Sequence, residues 1–276
     1  MKQTRPLSYS SIKAFSKSPT HLLKYWERVF KPTPAMALGS LVHTLVLEPK
    51  EYENRYFCID DEEICLDLIA KGAKSPRANG EYKAWKAKLL LSSEGKEEVS
   101  LDDFKTATML AEKLKEHPLI KALTFKEELI EWDLNGVKIK GFVDGAGEEL
   151  PEEYRDFEGQ GFILDLKTTK DASPSSYSRD VLKFMYHLQS GLYKDANRAL
   201  NFAGVAPKFY HIAIETAEPF IIQTYEISSE FSDKGYNFAV KQIELFKEWD
   251  GEPAGYEFGN ELAVGSVLPL NAPSWA

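Results

Sequence analysis

A single dipeptide fixes the geometry of the middle of this chain. Asn135-Gly136 is flanked on both sides by alternating apolar and polar residues, and Asn-Gly is the strongest short-range signal for a two-residue β-hairpin loop. With those two residues as the loop, Leu134 faces Val137, Trp132 faces Ile139, Ile130 faces Gly141 and Glu127 faces Asp144. A slip of one residue would turn the whole apolar set to solvent, so this register is strongly specified. Its packed face is Ile130, Trp132, Leu134, Val137, Ile139 and Val143. The other face carries Asp133–Lys138 and Glu131–Lys140 near the turn, with Glu127 and Asp144 side by side at its far end. Cross-strand neighbours have Cβ atoms about 5 Å apart. Two carboxylates that close repel unless a cation lies between them, which makes the pair a candidate metal site. Glu128 is the rival to Glu127. This register puts it on the packed face, and a bulge would reverse the choice.

Downstream comes Ile163-Leu164-Asp165-Leu166-Lys167. Strand periodicity places Asp165 and Lys167 on one face, with Leu164 and Leu166 on the other. Acid-x-Lys on a strand, after an earlier aspartate, suits phosphodiester chemistry. Carboxylates are hard oxygen ligands for Mg²⁺. A lysine beside them can orient the attacking water and offset charge in the transition state. By itself Asp-x-Lys occurs by chance in most proteins, and a lone surface Asp and Lys is the default reading of this stretch.

The remaining elements surround these strands. Ser8, Ser10 and Ser11 precede a helical pattern broken near Ser18-Pro19, and a second helix covers about Ala35 to Leu47. Ser100 caps a helix carrying Phe104, Ala107, Leu110, Ala111 and Leu114. One long helix is expected from about Ser176 to Leu200, then strands Phe209–Ile214 and Phe220–Ile227, and a helix from Ser232 to Trp249. Residues 50–100 are charged and the least readable, and read as a variable, insertion-like region. Residues 148–161, rich in Glu and Gly, are expected to form a surface loop near the site, and the tail through Pro273-Ser274-Trp275 is loop-like. Helices before, between and after central strands predict an α/β fold, one domain over residues 1–276, with a mixed sheet flanked by helices.

Composition narrows the function. The most apolar stretch, Ala35 to Leu47, is too short to span a bilayer, and residues 1–11 lack the apolar core of a secretory signal. Cys58 and Cys65 are too few for a zinc or iron–sulfur site, and a cytoplasmic protein with reduced thiols is expected. A net charge of −9 argues against a generic nucleic-acid coat, so any DNA contact needs a local basic surface. Lysines between Lys71 and Lys96, such as Lys83, Lys86 and Lys88, are the candidates, although a lysine-rich stretch also reads as a solvated face. No Walker or Rossmann glycine pattern is present.

Taken together, His43 in Leu-Gly-Ser-Leu-Val-His, Glu127 ahead of the hairpin, Asp144 in Phe-Val-Asp, Asp165-Leu166-Lys167-Thr168-Thr169, and Tyr186-His187-Leu188-Gln189 with Tyr193 resemble the RecE-type exonucleases of the PD-(D/E)xK superfamily, relatives of lambda exonuclease. The resemblance covers nearly the whole chain, from the opening Ser-Tyr-Ser-Ser-Ile-Lys to the closing Pro-Ser-Trp-Ala, and is loose between Cys58 and Ser100. It implies Mg²⁺-dependent digestion, with Mn²⁺ able to substitute, of the 5′-terminated strand of linear duplex DNA in phage-type recombination. It also implies a homo-oligomeric ring that hands its product to a single-strand annealing protein. Residue by residue, it makes Asp144 and Asp165 the main metal ligands, with the Leu166 carbonyl a further one, Lys167 the water-positioning lysine, and Glu127 an assistant to the metals. It places His43 near a metal, and sets Gln189 and Tyr193 to contact the DNA end or order the lysine. Tyr186, Gln189 and Tyr193 would share one helical stripe. On sequence alone that stripe also reads as an amphipathic boundary, and His43 as a core histidine. Gly39, one turn before His43, would let the helix approach closely. Two other readings remain: an endonuclease on the same core, or a non-catalytic DNA-binding or assembly protein, which has no need for clustered carboxylates.

Overall fold

The structure, a computed structural model, describes residues 5–254. The tail read as loop-like, with its Pro-Ser-Trp-Ala, lies outside the described residues. Five strands, β3 (Phe125–Leu134), β4 (Val137–Gly147), β5 (Gln160–Thr169), β6 (Val205–Glu215) and β7 (Ile222–Ile227), form one sheet in sequential order. Only β5 and β6 pair in parallel, so the sheet is mixed, as the sequence predicts. The β3–β4 register agrees with the Asn-Gly reading: Leu134 pairs with Val137, Trp132 with Ile139 and Ile130 with Gly141. Lys126–Gly145 continues the same register, so no residue is inserted, but Glu127 itself leaves the ladder with φ 45°.

Two cores cover the two faces. On one, Ile130, Trp132, Ile139, Ile163 and Phe209 pack beneath α1 (Tyr9–Phe15), α2 (Pro19–Glu27), α9 (Pro174–Phe184), α10 (Tyr186–Leu200) and α11 (Ser229–Glu248). On the other, Leu164, Leu166 and Ile212 meet α3 (Pro34–Leu47), α7 (Leu101–Lys115) and α8 (Pro118–Lys121). Sequence punctuation explains the helix starts. Ser8, Ser18, Thr33 and Ser100 each accept a backbone N–H as N-cap, and Pro19 and Pro34 occupy first-turn positions where a missing N–H costs nothing.

The single helix expected from Ser176 to Leu200 is in fact two. Met185 between α9 and α10 adopts a left-handed conformation, φ 61°. A continuous helix would give the Phe184 carbonyl to the Leu188 N–H. Instead that carbonyl accepts from the Tyr9 hydroxyl and the Lys13 ammonium, and Leu188 turns to Met185. The break is imposed from α1, not written locally.

Residues 50–100 have regular structure. The short α4 (Tyr52–Arg55) leads into β1 (Tyr56–Cys58), which pairs in parallel with β2 (Glu97–Val99). Between them α5 (Glu62–Ala70) and α6 (Gly80–Ser92) form an arm in which Leu66, Ile69, Leu90 and Leu91 stay exposed. Among the described residues no helix is long and apolar enough to cross a membrane.

Candidate active site

The site lies where two strands part. β4 and β5 pair only from Gly145–Leu164 to Gly147–Phe162, and beyond that they splay. Splaying strips backbone groups of ladder partners, and buried backbone groups must find others. The N-terminal segment fills part of the gap, with Leu7 bridging Lys138 and Lys140 on the freed edge of β4. The rest is filled by the conspicuous side chains. Asp144 accepts the Leu166 N–H at 2.8 Å, Tyr193 donates to the Phe142 carbonyl at 2.5 Å, and His43 donates from Nε2 to the Leu166 carbonyl at 3.0 Å. A carbonyl can only accept, so Nε2 carries the proton and Nδ1 is turned to the carboxylates.

Around His43 Nδ1 lie Asp144 at 3.5 Å and Glu127 at 3.6 Å. The three ligand atoms fall within 4.8 Å of one another. Glu127 reaches this point from its left-handed backbone, while Glu128 is exposed on the ladder opposite Val143. Two carboxylates and an imidazole nitrogen suit a divalent cation. With protons alone, burial opposes charging His43, but Asp144 and Glu127 outweigh it and raise its pKa to about 9. Burial pushes the Asp144 carboxyl above its usual range, against the pull of His43 and Lys167.

Asp165 faces the other side of the crevice, 1% exposed. Its Oδ1 accepts from Gln189 at 2.6 Å, and Oδ2 is in ionic contact with Lys167 without a directed hydrogen bond. It therefore stands outside the His43–Glu127–Asp144 group, with Lys167 where a ligand would meet it. The buried Gln189 Oε1 has no donor. The Gln189 oxygen can accept from a water, while Asp165 Oδ2 is already met by the Lys167 ammonium. Burial would strip the Lys167 charge, but Asp165 and Asp144 hold its pKa above the usual lysine value. The ammonium lies 4.9 Å from the centroid of the Tyr186 ring.

All nine residues singled out in the sequence thus surround one crevice, which opens into a cleft of about 810 Å³ between α3, the end of β5 and Phe184–Tyr186. Two glycines permit the approach. A Cβ on Gly39 would lie 2.9 Å from Thr168 Oγ1, and one on Gly141 only 2.5 Å from the Tyr193 ring. The loop 148–159 contributes nothing to the cleft lining, contrary to expectation, because it joins β4 and β5 at their paired end. Two residues escaped the sequence reading. Arg55, held by Glu48 at 2.7 Å and 3.0 Å, lines the cleft from the segment where the resemblance is loose. His211 pairs with Asp165 across β5–β6, is fully buried, and bonds the Tyr177 hydroxyl at 2.9 Å. Burial lowers its pKa to about 3, so it adds no charge beside Lys167.

An acidic crevice closed by Asp-x-Lys at the splayed edge of a mixed sheet is the arrangement of the PD-(D/E)xK nuclease superfamily. The chain belongs to the PDDEXK-like domain of unknown function family (DUF3799), whose model matches residues 8–252. No curated protein matches the sequence. Among solved structures it is similar to a "Putative exonuclease" from Eubacterium rectale, with a TM-score of 0.54 and 15% identity, over 97% of this chain and 91% of that one. At that identity the likeness is one of fold.

Proposed function

We propose that the protein is a divalent-metal-dependent exodeoxyribonuclease of RecE type, which digests the 5′-terminated strand of linear duplex DNA. The nuclease part of this reading is carried by the convergence of Glu127, Asp144, Asp165 and Lys167 on one crevice, with hard oxygen donors on one wall and a persistent cation on the other. Its exonuclease character rests on the RecE resemblance and on Gln189 and Tyr193. His43 Nδ1, Glu127 and Asp144 would hold the metal, Mg²⁺ or Mn²⁺, with Asp165 and the second lone pair of the Leu166 carbonyl beside them. Such an ion supplies Lewis acidity and lowers the pKa of its water. The protein's part is positional. Lys167 stays protonated, so it donates to the attacking water or a phosphate oxygen and does not act as a base. Asp165 aims that ammonium, and Gln189 fixes Asp165. Tyr193 ties α10 to β4, holding the strands apart at the width the crevice needs.

Family resemblance extends the proposal to a homo-oligomeric ring, of three or more chains, acting in the cytoplasm and passing single strands to an annealing protein. Cyclic closure would thread the duplex and keep each active site on its end. The test is one assay: end-labelled linear duplex against closed circular DNA, with and without Mg²⁺, and light scattering on the same preparation. Mg²⁺-dependent release of nucleotides from the linear 5′ ends alone supports the reading. Rapid linearisation of the circle moves it to an endonuclease, and no cleavage of either leaves a binding protein.

A further inference from the structure

Residues 1–31 carry seven Lys and Arg against a single acid, Glu27, in a chain whose net charge is −9. The fold gathers four of these cations, Lys13, Lys17, Lys24 and Arg28, along one groove of about 430 Å³ on α1 and α2. No carboxylate is among its lining residues, and Glu27 meets Lys24 in an exposed pair that solvent screens. Burial and the Lys17 ammonium both press the Lys13 pKa down, the mark of cations crowded without compensation. Aromatic rings interleave with the charges. Tyr9 and Tyr25 line the groove, and the Arg28 guanidinium lies 4.2 Å from the Tyr25 ring and 5.4 Å from that of Phe30, itself 55% exposed.

The groove borders the cleft at Phe184. Tyr9 and Lys13 hold the Phe184 carbonyl, Phe184 stacks on Tyr186 at 5.6 Å, and both rings line the cleft beside Lys167. A flexible polyanion leaving the cleft past Phe184 would enter the groove directly. Cations that follow a backbone, with rings to receive bases, are how proteins hold single strands without reading sequence.

We infer that the α1–α2 groove is a track for single-stranded DNA, which holds the strand beside the cleft by its phosphates and by stacking on Tyr25 and Phe30. This rests on the nuclease reading for the identity of the polymer, but not on cleavage. The test is fluorescence-anisotropy titration of a labelled single-stranded oligonucleotide in EDTA, over a range of salt. The triple variant Lys17→Gln, Lys24→Gln, Arg28→Gln should bind about tenfold or more weakly. Its plot of log affinity against log salt should be shallower by about 2, because each phosphate that a cation neutralises adds about 0.7 to the slope. The charge-conserving triple Lys17→Arg, Lys24→Arg, Arg28→Lys should keep both affinity and slope, and it decides the matter if the neutral variant fails to fold. Unchanged affinity and slope in the neutral variant, loss of binding in the charge-conserving one, or equal affinity for a polyglutamate chain or a blunt duplex of equal length would each overturn the inference. Cleavage by wild type with unaltered binding in the variant sinks the groove and spares the nuclease. Groove-dependent binding by a wild-type protein that never cleaves does the reverse.

Discussion

Lys167 and Arg77 each hold an aspartate, and their surroundings make the two pairs different objects. Lys167 sits on Asp165 in the crevice, the two side chains 18% and 2% exposed, and Asp165 is also held by Gln189. Arg77 meets Asp61 at 2.7 Å on the arm, where the arginine side chain is 72% exposed. In the crevice each charge is costly to leave alone, because low dielectric and exclusion of water remove the alternative partners. On the arm, water replaces whatever is removed. The contrast extends to packing. α10 and α11 behind the crevice meet through glycines, whereas α5 and α6 leave Leu66, Ile69, Leu90 and Leu91 in solvent. Charge of similar composition is therefore buried and mutually compensated in one region and solvated in the other.

The hardest test of that contrast is to remove the crevice charges. Asp144→Ala, Asp165→Ala and Lys167→Ala should each lower the cleavage rate by about 10² to 10³ or more, the usual loss when one preorganised electrostatic group is deleted. Circular dichroism should show each variant folded. A purified variant that cleaves at near the wild-type rate would remove that residue from the mechanism.

Next comes the packing that aims Gln189 and Tyr193. A Cβ on Gly235 would lie 1.9 Å from the His187 carbonyl oxygen, and one on Gly191 2.5 Å from that of Ser232. Neither clash can be relieved by turning a side chain. Gly235→Ala should therefore destabilise towards the upper end of the about 1–3 kcal/mol typical of overpacking, read by urea denaturation. Gly95→Ala is a poor control despite open space, since its φ of 84° carries its own strain. Ala87→Gly in the exposed part of α6 should cost only about 1 kcal/mol.

A smaller effect is expected from pH. His43 has its folded pKa raised to about 9 from an unfolded value of 6.5. In the folded state it binds its proton more tightly, so its contribution to stability is complete below pH 6.5 and is lost as pH rises through 9. In a chelating buffer the melting temperature should fall between pH 6.5 and 9, and His43→Asn should flatten that fall. An equal decline in both proteins would show that other groups set it.

How much of this was legible in the sequence follows the same divide between local and distant causes. Asn135-Gly136 set the β3–β4 register because turn geometry and the apolar face agree, and that register brings Glu127 to Asp144. The left-handed backbone at Glu127 had no glycine or asparagine to announce it. Nor did the break at Met185, which carries no proline or glycine and is caused by Tyr9 and Lys13 more than 170 residues away. The lysines of residues 71–96 drew attention because they are close in sequence. The α1–α2 cations are gathered by a helix pair, with spacings that only the fold converts into a groove. The arm's helices were hidden because neither has the buried stripe that periodicity would reveal: α6 buries only Tyr82, and α5 only Leu68.

The smallest expected effect belongs to Arg77. Its guanidinium and the Tyr82 hydroxyl, at 2.8 Å, both donate to Asp61 and hold that carboxyl down to about 2. A depressed carboxylate stabilises the fold above its unfolded pKa of 3.8, and loses that stabilisation as pH falls through 2. At neutral pH the pair is thus intact, yet Arg77 is so exposed that water and salt can take its place, and Tyr82 remains to satisfy Asp61. Arg77→Ala should change the cleavage rate by less than about twofold, and at neutral pH it should leave the melting temperature near that of wild type. Whatever small difference remains should be present at neutral pH and close below pH 4, as Asp61 protonates first in the variant and then in wild type. A large loss of cleavage in Arg77→Ala, with the fold intact, would join the arm to the active site and end the separation between the two regions. Loss confined to long duplexes, with short ones cut normally, would make the arm a remote DNA contact and return the Lys83, Lys86 and Lys88 face to consideration.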